Sequence, residues 1–179
     1  MIESFKISNV GNKTELEDII QQVQSIFYTS SSLKEFSSAE RKQAFFKRWC
    51  GDYISLYPDQ FIIMREGQKV LGYLSGCTDS SFALVVVEVP GFSLFSDLFK
   101  FYCAHFHINF HPDCRGRGLG SQLVEGYCEE LKKMGVTGVH LITSPDAANI
   151  GFYQRLGFDH VVQREFNQMT LLFMGRLLK

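Results

Sequence analysis

The sequence predicts a single α/β domain over residues 1–179, classed as α+β in some schemes, with a central sheet and helices on both of its faces. The sheet is expected to be mixed, mostly antiparallel, and built from about seven strands. Runs that alternate with period two are interspersed with helical apolar runs, and one central strand–helix–strand–helix unit calls for parallel strands. A chain of 179 residues, with no internal repeat or low-complexity linker, is long enough to form one domain with a single hydrophobic core.

The first half begins with an alternating run, SFKISNV, which predicts a strand over residues 4–10. A helix should follow behind a capping box of Thr14 and Glu17, because apolar residues then recur at helical spacing. A serine-rich loop leads to a second capping box, Ser37 and Glu40, and to a helix with an aromatic stripe. This stripe, expected in the core, consists of Phe45, Phe46 and Trp49.

A hairpin is predicted next, because Glu66, Gly67 and Gln68 separate two strand-like runs and glycine supplies the positive φ of a tight turn. The segment 79–102 is less regular. It holds the β-branched run LVVVEV, a Pro-Gly breaker at 90–91 and an apolar stretch. Such a segment is either an insertion that covers a pocket or plain packing.

The second half has a more regular pattern. Alternation from Ala104 to Phe110 predicts a strand, and the amphipathic helix after it should end at Gly135. The run GVHLIT predicts a buried strand, and PDAANIGFYQRL predicts a short helix that ends at Gly157. Two closing strands are expected around residues 165–167.

The composition excludes several classes of function. A net charge of -1 with 45% hydrophobic residues gives no basic surface for nucleic acid. No apolar run approaches the ~20 residues of a membrane span. The cysteines include no CxxC pair and the N-terminus lacks the order of a signal peptide, so we expect a reduced, cytoplasmic protein.

The stretch HINFHPDCRGRGLGSQL forms a glycine-rich corner between a predicted strand and a predicted helix. Glycine has no Cβ, so backbone N–H groups at this corner can approach a ligand closely, and the helix N-terminus favours an anion. Arginine can add charge-assisted hydrogen bonds to phosphate oxygens. The expected donors are the backbone of Gly116, Gly118 and Gly120, the side chains of Arg115 and Arg117, and the hydroxyl of Ser121.

Three phosphate-binding motifs can be compared with this corner. A P-loop needs Lys and then Ser or Thr after its last glycine, whereas Ser121 and Gln122 follow Gly120. A dinucleotide fingerprint needs a glycine at position 121 and an acidic residue at the end of the strand GVHLIT. Position 121 is serine and no acidic residue ends that strand, so this motif fits poorly. An R-x-x-G-x-G pyrophosphate loop matches without gaps at Arg115, Gly118 and Gly120.

This loop and the downstream segment FYQRLGF resemble the GNAT superfamily of acetyl-CoA-dependent N-acetyltransferases. The likeness covers Cys103 to Val161, and the approach AHFHINFHPD is most similar to acetyltransferase-like domains found in or beside protein O-GlcNAc hydrolases. The resemblance implies a GNAT fold, acetyl-CoA as cosubstrate, and an amine acceptor on a small molecule or a protein. It further implies a CoA-binding half, 103–179, and an acceptor-side half, 1–102, with an insertion at 79–102.

The same resemblance implies a role for individual residues. The strand end at Ile108 and Phe110 offers main-chain groups to the pantetheine arm, and an N–H there polarises the thioester carbonyl. Tyr153 stands where many members keep a tyrosine near the CoA sulfur, and it can protonate the departing thiolate. Asp146 replaces a family asparagine and Asn149 lies one turn before Tyr153, so either can contact CoA. The implied cofactor contacts are Ile108, Phe110, Arg115, Gly116, Arg117, Gly118, Leu119, Gly120, Ser121, Asn149 and Tyr153.

The general base is where this sequence departs from the family pattern. Many members place glutamate on the fourth strand, at the position of Ala104 here. His105 and His107 flank that position on one face of the strand, and a histidine with a pKa near ~6.5 can accept the amine proton. Glu88 and Asp79 are the alternative bases. The two histidines have no evident third ligand for a metal. A chain without a base would be a CoA-binding or noncatalytic interaction domain, which Ala104 favours and the intact loop opposes.

Overall fold

The computed structural model describes residues 1–87 and 89–179, and it confirms the predicted α/β class. The described residues group into two compact units, each with strands and helices of its own. The first unit comprises residues 1–76 and 107–124, and the second comprises residues 77–106 and 125–179.

Seven strands lie in the described part of the chain. They are β1 (Ile2–Lys6), β2 (Phe61–Glu66), β3 (Lys69–Cys77), β4 (Ala104–Phe110), β5 (Gly138–Thr143), β6 (His160–Phe166) and β7 (Met169–Leu177). Their hydrogen-bonded order is β1-β2-β3-β4-β5-β7-β6. The pairs β1 with β2, β2 with β3, β5 with β7 and β6 with β7 are antiparallel, and β4 with β5 is parallel. A mixed, mostly antiparallel sheet is thereby confirmed.

Six α-helices accompany these strands among the described residues. They are α1 (Lys13–Ser30), α2 (Ala39–Phe46), α3 (Asp52–Leu56), α4 (Ser80–Val86), α5 (Leu119–Lys133) and α6 (Ile150–Arg155). A π-helical turn, Lys47–Gly51, joins α2 to α3. None of the helices that the structure describes is long and apolar enough to cross a membrane.

The first two helices begin at other residues than the capping boxes predict. Asn12 caps α1 and Ser38 caps α2, and each side chain accepts a hydrogen bond from the backbone N–H three residues on, at 3.0 and 3.2 Å. The predicted caps at Thr14 and Ser37 are therefore wrong. The capping residue must lie directly before the first helical residue and must itself have an extended backbone. Asn12 and Ser38 have that geometry.

The start of the chain and the hairpin can be compared with their predictions. Strand β1 begins at Ile2 and residues 7–9 form a 3-10 turn, so the strand predicted over 4–10 lies too far along the chain. The hairpin between β2 and β3 is confirmed. Gly67 occupies its turn with φ +60°, and Glu66 pairs with Lys69 across it.

The aromatic stripe predicted for the core is buried only in part. Phe46 is 4% exposed, whereas Phe45 and Trp49 are half-buried. The α-helical spacing does not hold across the three residues, because α2 ends at Phe46 and Trp49 lies in the π-helical turn that follows. Phe45 and Trp49 remain accessible to a ligand in the first unit.

The second unit contains the irregular segment 79–102. It folds as α4 followed by a 3-10 stretch, Phe92–Leu98. Helix α5 ends just before Gly135 and α6 just before Gly157, each with φ +77°, which confirms both predicted ends.

Candidate functional site

The glycine-rich corner leaves β4 through a 3-10 turn, Pro112–Cys114, that buries the Cys114 side chain. Gly116 and Gly118 then adopt φ of +74° and +76°. A Cβ added at either position would meet no atom within 4 Å. Since space is open there, glycine is required for the left-handed backbone, and the bare backbone leaves room for a ligand to approach.

Helix α5 begins directly after these glycines. Its first turn includes Gly120 and Ser121, both half-buried, while Leu119 is buried and anchors the turn. The N–H of Gln122 donates to the carbonyl of Gly118 at 3.1 Å. The N–H groups of residues 119–121 belong to the first turn, where a helix offers no carbonyl partner of its own. N–H groups at the start of a helix, together with the helix dipole, favour an anion.

The two arginines of the loop differ in their surroundings. Arg115 donates from Nε to the carbonyl of Phe110 at 3.3 Å and from Nη2 to the hydroxyl of Ser30 at 3.2 Å. Its guanidinium thus ties the loop to the ends of β4 and α1, and its other N–H groups are available to a phosphate. Arg117 is exposed and forms no ion pair with the residues that the structure describes.

The end of β4 is held by a close contact with β3. A Cβ at Gly72 would clash with the ring of Phe110 and would lie 2.7 Å from the carbonyl oxygen of Asn109. The amide of Asn109 donates to the hydroxyl of Tyr73 at 3.0 Å. The pairing of β4 with β5 covers Ala104 and His105, so residues 108 and 110 lie beyond that pairing.

His107, one of the two predicted bases, lies within a group of aromatic rings. The hydroxyl of Tyr53 is 3.5 Å from its Nε2, and the rings of Tyr53 and Trp49 pack edge-on against the imidazole at 5.5 and 5.8 Å. Burial among these rings lowers the pKa of His107 to about 4. The imidazole is therefore neutral at pH 7 and can accept a proton, although it is a weak base.

His105, the other predicted base, is 2% exposed. Its Nδ1 lies 2.8 Å from the hydroxyl of Ser80, and its ring packs 4.9 Å from Phe92 and 5.7 Å from His140. This packing favours a structural role for His105, so His107 is the better candidate base. Among the alternatives, Asp79 caps α4 by accepting from two backbone N–H groups at 2.9 and 3.0 Å, and Glu88 lies outside the described residues.

Tyr153 lies in α6 of the second unit and is 5% exposed. Its ring packs against Phe106 and Phe158, with centroids 6.2 and 6.0 Å apart. Burial raises the pKa of Tyr153 above the ordinary value for tyrosine, so its phenol keeps the proton at neutral pH. Asn149 donates from its side-chain amide to the Tyr153 hydroxyl at 3.5 Å, and both Asn149 and Asp146 are exposed. Asn149 is thus the residue that accompanies Tyr153.

Sequence patterns did not point to three aromatic neighbours of the candidate site. Tyr53, Trp49 and Tyr73 contact β4 from 36 or more positions upstream, and only the fold brings them there. The aromatic stripe was the one signal for Trp49. No comparable signal marks Tyr53 or Tyr73, because a buried tyrosine fits any core.

The fold and the glycine-rich corner define an acetyltransferase of the GNAT type. The model of the acetyltransferase (GNAT) family matches residues 18–158, and the chain belongs to this family. GNAT acetyltransferases use acetyl-CoA. The open backbone at Gly116 and Gly118 fits the pyrophosphate of that molecule.

Three solved structures show the same fold. SsHAT superposes with a TM-score of 0.74 at 19% identity, over 99% of this chain and 98% of its own. The ribosomal-protein-S18-alanine N-acetyltransferase from Escherichia coli gives 0.59 at 16% identity, over 100% and 95% of the two chains. The yncA protein from Salmonella typhimurium, in complex with its cofactor acetyl-CoA, gives 0.58 at 19% identity, over 99% and 94%. At these identities the likeness is one of fold.

Proposed function

We propose that this protein is an N-acetyltransferase that moves the acetyl group of acetyl-CoA directly to an amine. The observation that carries the proposal is the pair of left-handed glycines, Gly116 and Gly118, at the entrance to α5 with open space above their backbone. A left-handed glycine pair beside a helix N-terminus suits a pyrophosphate. Residues 115–121 would hold this group, and the main chain at Ile108 and Phe110 would hold the pantetheine arm.

When bound, acetyl-CoA supplies its acetyl group as a thioester. His107 accepts the proton that the amine loses while the new N–C bond forms, directly or through water. A backbone N–H at the end of β4 stabilises the negative charge on the carbonyl oxygen, and one such donor is worth ~3 kcal/mol in other acyl transfers. Tyr153 donates its phenolic proton to the sulfur as the C–S bond breaks.

A second function, a CoA-binding domain without catalysis, is favoured by two observations. Ala104, fully buried, stands where many family members keep a glutamate base. The pKa of His107, lowered to about 4, leaves it a poor acceptor for the proton of an ammonium group. The enzyme remains our first choice, because the acceptor can reach the site as a neutral amine and then needs only weak base assistance.

The finer predictions from the sequence belong to this proposal. The acceptor is an amine on a small molecule or a protein, and the chain acts as one acetyltransferase-like domain over 1–179. We place the protein in the cytoplasm, which is supported by its five cysteines, all free thiols. The likeness of AHFHINFHPD to the domains associated with protein O-GlcNAc hydrolases stays a prediction.

The test combines a binding and a turnover measurement on the purified chain. A thermal shift with acetyl-CoA should raise the unfolding temperature, since a ligand that binds only the folded state stabilises it. CoA release is then followed across small amines, amino acids and peptide N-termini. Binding with turnover of any amine supports the enzyme, binding without turnover supports the noncatalytic domain, and no binding rejects both.

A further inference from the structure

A cleft of about 530 Å³ lies in the first unit beside α2. Its size is within the range of small-molecule sites in proteins. Two aromatic rings, Phe36 and Phe45, line it together with two arginines, Arg41 and Arg48, and one carboxylate, Glu35. The catalytic roles proposed above use none of these residues.

The two arginines of the cleft are the cations that the surrounding structure leaves unused. Arg41 and Arg48 are exposed, and neither guanidinium forms a hydrogen bond or ion pair with any described residue. Nearby cations are engaged: Lys47 pairs with Asp52 at 2.9 Å, and Lys42 lies 4.6 Å above a tyrosine ring. With Glu35 included, the lining carries one net positive charge.

A row of rings leads from this cleft to the candidate base. The centroid distances are 5.4 Å from Phe36 to Phe45, 6.4 Å from Phe45 to Trp49, and 5.8 Å from Trp49 to His107. All four residues belong to the first unit. Arg41 and Phe45 are four positions apart in α2, so they share one side of that helix, and the Trp49 ring packs against Phe45 from the π-helical turn.

We infer that the cleft selects the acceptor, and that the acceptor is a small amine with a carboxylate at the far end from its amino group. Arg41 and Arg48 bind the carboxylate, since a guanidinium matches its two oxygens. The apolar body lies along Phe45 and Trp49, and the amino group reaches His107. One net positive charge neutralises a monoanion, whereas a dianionic phosphate would keep one uncompensated negative charge beside Glu35. This inference rests on the proposed function, which it makes more specific.

The test uses pairs of acceptors that differ only in charge. Straight-chain and phenyl-spaced ω-amino carboxylates of increasing length are each compared with the corresponding uncharged primary amide in the CoA-release assay. We expect one length at which the carboxylate exceeds its amide at least tenfold in kcat/KM. Arg41→Gln and Arg48→Gln should each remove this preference by raising KM for the carboxylate about tenfold, while KM for the amide stays unchanged.

Two further variants serve as controls in the same assay. Lys42→Gln removes one positive charge from α2 without altering the cleft, so the preference for the carboxylate should remain. Glu35→Gln removes the negative charge of the lining and should lower KM for the carboxylate. A loss of preference in Lys42→Gln, equal to that in Arg41→Gln, would indicate general electrostatics and overturn the inference.

The chain contains one tryptophan, Trp49, which provides a readout independent of turnover. The preferred carboxylate should change the Trp49 emission of the parent in a saturable titration, and Arg48→Gln should weaken this about tenfold. If acetyl-CoA binds but no carboxylate changes the emission or is preferred over its amide, the inference is wrong while the proposed function stands. If acetyl-CoA itself gives no thermal shift, the proposed function fails instead.

Discussion

The hydroxyl of Tyr53 lies 3.5 Å from Nε2 of His107, and the ring of the same tyrosine packs edge-on against the imidazole, with centroids 5.5 Å apart. Tyr53 is 1% exposed, and Trp49 packs against the same imidazole. These rings favour the neutral imidazole, because they exclude the water that would solvate its charge. The pKa of His107 is accordingly lowered to about 4, which gives the stability of the fold a dependence on pH.

Acid should destabilise the protein through His107. Its pKa in the folded state is about 4 and that of an unfolded histidine is ~6.5, so the unfolded chain binds more protons between these values. The free energy of unfolding is therefore retained in full only above about pH 7 and falls as the pH drops toward 4, by ~2 to 3 kcal/mol at pH 4.5. Urea unfolding of the parent and of His107→Gln at pH 7 and 4.5 measures this.

His160→Gln, which removes an exposed imidazole, is the matched control for this measurement. Its free energy of unfolding should decrease between pH 7 and pH 4.5 by as much as that of the parent. His107→Gln should show a smaller loss. An equal decrease in parent and His107→Gln would assign the acid sensitivity to other groups.

Arg115→Ala should weaken acetyl-CoA binding tenfold to a hundredfold. Hydrogen bonds to a charged phosphate are worth ~1.5 to 3 kcal/mol, which converts to that change in Kd. Ser30→Ala tests a different contribution, since it removes one anchor of the Arg115 guanidinium and leaves the charge in place. Titration calorimetry of both variants separates charge from positioning, and an unaltered Kd in Arg115→Ala would contradict the loop assignment.

Gly118→Ala should cost stability where Gly126→Ala does not. A Cβ meets no atom within 4 Å at either position, but only Gly118 has a left-handed backbone, at φ +76°. Replacing glycine by alanine at position 118 costs ~1 to 2 kcal/mol, because an L-residue is strained in the left-handed conformation. The same replacement at position 126, inside helix α5, should stabilise the protein by ~0.5 to 1 kcal/mol. Denaturant unfolding gives both values.

Gly118→Val should in addition weaken acetyl-CoA binding more than Arg115→Ala does. A branched side chain blocks the close approach of the phosphate as well as straining the backbone. A folded Gly118→Val protein that binds acetyl-CoA like the parent would be incompatible with this assignment.

Much of the fold could be predicted from local pattern. The hairpin at Gly67, strand β4 and the helix ends at Gly135 and Gly157 follow from periodicity and from residues with special backbone angles. The helix starts at Asn12 and Ser38 could not be chosen reliably, because several polar residues near each start can cap and only the backbone geometry decides among them.

The candidate site divides in the same way. The loop residues Arg115 to Ser121 are contiguous, so a motif identifies them. The surroundings of His107 come from α3 and the π-helical turn, more than 50 positions upstream, and no local pattern reveals that they lower its pKa. Two histidines two positions apart looked equivalent in the sequence, whereas the structure packs His105 against Ser80 and His107 against Tyr53.

Gly72→Ala should disturb the end of β4. The added Cβ would clash with the ring of Phe110 and approach the carbonyl of Asn109 to 2.7 Å, so β3 and β4 must separate locally. Overpacking of this kind costs ~1 to 3 kcal/mol. Urea unfolding should show that loss together with weaker acetyl-CoA binding, because Phe110 is proposed to contact the pantetheine. Gly51→Ala, where the nearest atom would be 3.4 Å away, is the tolerant control.

The final prediction distinguishes an enzyme from a binding domain by changing the acid and the base separately. Tyr153→Phe should lower kcat and leave the Kd for acetyl-CoA nearly unchanged, since only a hydroxyl that acts in the transition state is lost. General acid help reaches ~10² to 10⁴, and we expect the low end or less, because a thiolate leaves easily near its pKa of ~8.5. Tyr127→Phe is the matched control, as both tyrosines are buried and pack on Phe106.

His107→Gln completes this prediction through the pH dependence of the rate. With a pKa of about 4, His107 is the unprotonated base above about pH 5, so its own contribution to the pH profile should be a fall of kcat, measured at saturating amine, only in more acidic solution. A free histidine, with a pKa of ~6.5, would place this fall at pH ~6 to 7 instead. His107→Gln should lower kcat and lose this acidic limb. An unchanged rate and profile in His107→Gln and Tyr153→Phe would assign proton transfer to solvent or to another residue, and tight acetyl-CoA binding without turnover in the parent would establish the noncatalytic domain.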